Sequence, residues 1–101
     1  MMVKSYIKKI IDNHEKEFGI YFDISIRDII EDNINNGVYA FQVIYNEHYQ
    51  VHEIKRLNHS LLKYNKLLWS YDGVRYQWGD TETLVFNPSK IRDIKLEEII
   101  K

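Results

Sequence analysis

Apolar residues recur at helical spacing from the first positions of the chain. Val3, Ile7, Ile10, Ile11, His14 and Phe18 fall on one face, with Lys4, Lys8, Asp12, Glu15 and Lys16 on the other. Lys8 and Asp12 form an i, i+4 pair of opposite charge. Gly19 is placed to end this helix in the left-handed conformation, which costs glycine nothing because it lacks a Cβ.

The period then changes. Ile20, Phe22, Ile24 and Ile26 alternate, which predicts an extended segment to about Phe22. Ser25 followed by Asp28 resembles a capping box, and Ile26, Ile29, Ile30 and Ile34 run on at helical spacing until Asn35-Asn36-Gly37. A second helix is therefore predicted over roughly 25 to 35. Val38 to Tyr45 lacks Gly, Pro and charge and alternates Tyr39, Phe41, Val43 and Tyr45, a strand pattern. Residues 48–57 fit either a returning hairpin strand or the start of a helix. Ile54, Leu57, Leu61, Tyr64 and Leu68 are spaced 3, 4, 3, 4, so the pattern favours a helix through the middle of 50–66.

Strand signals return towards the end. Asp72-Gly73 suits a type I′ turn between arms 67–71 and 74–78, Gly79-Asp80 marks another turn, and Thr83–Phe86 reads as a short strand. Asn87-Pro88 has the grammar of a helix start, followed by a short helix or a frayed tail. The predicted class is α+β, with N-terminal helices packed on a small antiparallel sheet of about four strands. With 101 residues and no Pro/Gly/Ser-rich linker, residues 1–101 read as a single globular domain.

Composition narrows the chemistry. There is no cysteine, which excludes disulfides, thiolate metal sites and thiol catalysis and fits a cytoplasmic protein. No apolar run reaches the length of a membrane span. Fifteen isoleucines against one alanine point to an AT-rich genome, and hence to a small accessory protein of a phage or other mobile element. Residues 1–50 carry five Lys/Arg against eight Asp/Glu, whereas 51–101 carry nine against seven. Asp23, Asp28, Glu31 and Asp32 cluster in the acidic half.

Catalytic patterns are thin. His48 and His52 are spaced i, i+4, but the His-Glu-x-x-His element of zinc proteases needs a Glu where Tyr49 stands. On a strand the two would lie about 13 Å apart, and with His59 they read as solvent-facing. Glu53-Ile54-Lys55 and Asp93-Ile94-Lys95 match the acid–x–Lys element of metal-dependent nucleases, whose second acid is not identifiable here. Four glycines leave no phosphate-cradling loop, and Ser60 beside His59 makes no triad. The expectation is no catalytic residue, no metal and no cofactor.

One region stands apart. Between Ile54 and Trp78, five Lys/Arg face a single carboxylate, Asp72, and interleave with Tyr64, Trp69, Tyr71, Tyr76 and Trp78. Such a mixture stacks on bases, anchors a protein partner or simply forms core with a solvated rim. The near-neutral charge favours a protein partner over nucleic acid. The sequence thus points to a small non-enzymatic binding protein that occludes a surface of a host macromolecule, through Lys66, Trp69, Arg75, Gln77 and Trp78. A nucleic-acid-binding module using region 54–78 is the first alternative, and a small metal-dependent nuclease the second.

Overall fold

A computed structural model describes residues 2–57 and 81–100. Helix α1 (Val3–Phe18) buries Val3, Tyr6, Ile7, Ile11 and His14. The face is turned slightly from the one its spacing predicts, so Ile10 and Phe18 are only partly buried and Tyr6 enters the core. Tyr6 tolerates burial because both its parts are served. Its ring meets Phe86 edge-on at 6.3 Å, and its hydroxyl accepts the Asn87 N–H at 3.2 Å. Gly19 ends the helix at φ +67°, donating to the Glu15 carbonyl at 2.8 Å.

Ile20 and Phe22 point inward and Tyr21 outward, as the alternation predicts. Helix α2 (Ile24–Asn35) then begins two residues earlier than a Ser25 cap would set it. Asp23 is the cap: its Oδ1 accepts the Ile26 N–H at 2.9 Å and the Ser25 hydroxyl at 2.7 Å. Ile26, Ile30 and Ile34 are buried, whereas Ile24 and Ile29 face outward.

Strands β1 (Ala40–Tyr45), β2 (Val51–Arg56) and β3 (Thr81–Val85) form an antiparallel sheet in the order β2-β1-β3, so the arrangement is α+β with three strands among the described residues. The helix expected through the middle of 50–66 is corrected over its first part, which is β2. The β1–β2 pairing contains a β-bulge. Tyr45 pairs with Val51 and Ile44 with Glu53, so His52 is the extra residue. Val51 and Ile54 consequently share the core face at a spacing of three. The remainder of that segment and the expected hairpin over 67–78 lie outside the described residues.

Paired residues share a face, so Phe41, Val43, Glu82 and Leu84 look towards the helices. The core lies there, with Phe41, Val43, Leu84 and Phe86 fully buried against Ile7, Ile11, Ile30 and Ile34. The opposite face holds a second, small cluster of Ala40 and Val85, with Leu57 against it. Helix α3 (Pro88–Ile100) starts as its sequence predicts. Asn87 Oδ1 accepts the N–H groups of Ser89 and Lys90 at 3.0 and 3.4 Å, and Ile91 and Ile94 are buried. Glu98 on this helix accepts the Val3 N–H at 3.2 Å and so ties α3 to the first turn of α1.

Ile11→Asp places a carboxylate among fully buried side chains and should cost several kcal/mol, about 3 or more. Ile10→Asp, at the core's margin, should cost less than about 2 kcal/mol. Urea unfolding of both variants checks the orientation of α1, and equal losses would contradict it.

Candidate functional site

The turn joining β1 to β2 is held by one side chain. Asn46 Oδ1 accepts the N–H groups of His48 and Gln50 at 2.9 and 3.1 Å, and the Asn46 carbonyl accepts the Tyr49 N–H at 3.0 Å. This geometry drives Tyr49 to φ +58°, the left-handed region normally given to glycine or asparagine in such turns. A non-glycine residue there costs about 1–2 kcal/mol. The result is an outward ring: Tyr49 is 59% exposed and stacks on Tyr45, with centroids 6.0 Å apart and planes 19° from parallel.

The segment before α2 completes this surface. Tyr21 donates its N–H to the Tyr49 carbonyl at 2.8 Å and accepts the Val51 N–H at 2.9 Å, a parallel bridge at the edge of β2. Its ring is 57% exposed. Between the two lies a recess of about 340 Å³ lined by Tyr21, Asp23, Ser25, Ile26, Asn46, Gln50, Val51 and His52. The Asp23 carboxyl is held below the usual range, first by the Ser25 hydroxyl and then by the Ile26 N–H. Tyrosines with Ser, Asn and Gln around a shallow recess offer large rigid contact area and adaptable hydrogen bonding, a chemistry suited to protein surfaces.

Beneath, the molecule buries a polar pair. His14 of α1 and Glu82 of β3 have wholly inaccessible side chains, and Nε2 lies 3.1 Å from Oε2. The rings of Phe18 and Phe22 stand edge-on to the imidazole at 4.6 and 5.8 Å. Enclosed this way, the pair is out of a substrate's reach and acts as a structural link. A second set is nearer the surface. Arg27 reaches Asp12 at 2.8 Å and Glu15 at 2.7 Å, and Glu15 also accepts the Phe22 N–H at 2.7 Å. Asp12 thus pairs with Arg27 across the helices and not with Lys8.

The residues singled out by sequence fall variously. Lys66, Trp69, Arg75, Gln77 and Trp78 lie outside the described residues, as does His59. His48 and His52 are exposed, in the turn and at the bulge. Glu53 and Lys55 face solvent on β2, and Asp93 and Lys95 lie on α3 rather than on a strand. Among the described residues no three His, Cys, Asp or Glu side chains converge as metal ligands. Nor is any helix among them long and apolar enough to cross a membrane. Sequence reasoning overlooked Tyr49 and Tyr21, and the signal for Tyr49 was Asn46 four residues before Gln50 in a turn without glycine. Comparison with known proteins finds no matching family model, curated protein or solved structure.

Two outcomes follow from these contacts. Removing one member of the buried pair, as in Glu82→Met, should cost about 3–5 kcal/mol, and the double variant His14→Leu/Glu82→Met should recover most of it. Chemical denaturation of the single and double variants reads the coupling. The Asp23 cap has its own pH signature. Its folded-state pKa is depressed, so its contribution is complete above the ordinary Asp pKa and is lost as pH falls through the lowered value. Thermal melts of the parent should lose stability relative to Asp23→Asn over that acid window, since asparagine caps without titrating.

Proposed function

We propose that this protein is a non-enzymatic binding protein that regulates or inhibits another protein by occluding its surface. The observation that supports this best is Tyr49, an exposed aromatic ring held out by a left-handed backbone that only the surrounding turn enforces. Strain of that kind persists where the conformation is useful. Tyr21 and Tyr45 extend the aromatic area, and aromatic anchors of this type dominate the energetics of protein recognition. The protein partner is a host macromolecule, met in the cytoplasm, and the aromatic–basic residues Lys66, Trp69, Arg75, Gln77 and Trp78 are proposed as a further contact set.

The test uses a variant that separates folding from binding. Tyr49→Gly relieves the backbone cost and loses the stack on Tyr45, worth about 0.5–1.5 kcal/mol, so stability should stay within about 1 kcal/mol of the parent. Capture of the partner from nuclease-treated host lysate should nevertheless weaken by on the order of tenfold, as expected for loss of an aromatic anchor. Trp78→Ala and Arg75→Ala examine the second contact set in parallel. Undiminished capture by Tyr49→Gly would remove the turn from the reading. Capture abolished by nuclease, with steep salt dependence, would favour the nucleic-acid alternative.

A further inference from the structure

A groove of about 530 Å³ runs between α1 and α2, away from the β1–β2 turn except for Tyr21, which borders both. Its floor is apolar, formed by Ile7, Ile11 and Phe22. Its walls carry opposite charges. Lys4 and Lys8 stand on the α1 side, one helical turn apart, and Asp28 and Glu31 on the α2 side. None of these four makes an ion pair among the described residues, whereas Asp12 and Arg27 in the same groove are closed on each other at 2.8 Å. Ile24 stands at the groove with 77% of its surface exposed.

Opposite charges on opposite walls define what fits. A nucleic acid would set phosphates against Asp28 and Glu31, and a uniformly acidic or basic peptide would be repelled by one wall. A surface with both signs is complementary to itself under a two-fold axis that runs along the groove. Such an axis brings the basic wall of one copy over the acidic wall of the other, and every contact is then made twice. We propose that a second copy of this chain occupies the groove, giving an isologous dimer in which Lys4 and Lys8 of each copy meet Asp28 and Glu31 of the other. The exposed Ile24 is covered in the process. Tyr49 itself lies outside this interface and only Tyr21 borders both, so dimerisation presents two copies of the Tyr49 ring to partners.

The experiment is a charge reversal read by sedimentation velocity and light scattering. The parent should be dimeric. Lys4→Glu/Lys8→Glu makes both walls acidic and Asp28→Lys/Glu31→Lys makes both basic, so each variant alone should be monomeric. An equimolar mixture of the two should form a heterodimer, because every facing pair is again opposite in sign. The single changes Lys8→Glu and Asp28→Lys, milder towards folding, should each weaken dimerisation on the order of tenfold or more. Circular dichroism verifies the fold of each variant. A monomeric parent overturns the proposal, even if the groove proves to hold another protein. A dimer that persists in both reversed variants also overturns it, as does failure of two folded variants to pair on mixing. Tyr49→Gly should leave the dimer intact, so failure of either reading is visible without the other.

Discussion

Placing an imidazole and a carboxylate together away from solvent is tolerable only while each serves the other, and this condition organises the molecule. His14 comes from the middle of the first helix and Glu82 from the last strand of the described sheet, so their contact fixes α1 over β3. The aromatic collar around the imidazole passes the constraint on. Phe22 is held against His14 by packing, and its N–H by the Glu15 carboxylate. That places Tyr21 against the edge of β2 and Asp23 at the start of α2. Arg27, one turn later, returns to Glu15 and Asp12 and closes the loop of contacts. An apolar pair of similar volume would pack as well.

The short connection between α1 and α2 therefore does more than join helices. Tyr21 faces out beside Tyr49, Asp23 caps α2, and Ile24 stands beside the interhelical groove. Two surfaces of different character meet there, one rich in tyrosine and amides, the other apolar between charged walls. Their common border depends on the buried pair beneath, so each surface inherits its geometry from the core.

How much of this was legible in the sequence depended on whether local rules went unopposed. The first helix, its glycine stop and the Asn87-Pro88 start follow from periodicity and capping alone, and all three stand. The β2 strand was obscured because Ile54 and Leu57 open a 3, 4, 3, 4 stripe that runs on through Leu61, Tyr64 and Leu68, a spacing that belongs to helices. Asp23 and Ser25 both suit a helix cap, and only the backbone path decides between them. Tyr6 was not placed on the buried face, and the group that lets its hydroxyl enter the core, the Asn87 N–H, lies far along the chain. Glu82 shared an alternation with Leu84 and Phe86, so its inward direction was readable, but the histidine that accommodates it was not. Tyr49 left only the faint trace of Asn46 in a turn without glycine, because its left-handed backbone is set by the turn's hydrogen bonds and not by composition. The residues that sequence singled out as a site, Lys66, Trp69, Arg75, Gln77 and Trp78, lie outside the described residues.

The distance in sequence between the two buried polar groups has a temporal consequence. His14 and Glu82 are separated by 68 positions, and β3 pairs with β1 across a shorter but still long gap, from Ile44–Thr81 to Ala40–Val85. During synthesis, α1 and α2 emerge first, and neither can complete its packing until the third strand has left the ribosome. Until then a histidine and the apolar side chains around it face solvent. Such non-local closure slows folding and prolongs the interval in which nascent chains can find the wrong neighbour. The same contact that joins α1 to β3 in the finished molecule thus makes completion of its core wait for a strand made 68 positions later.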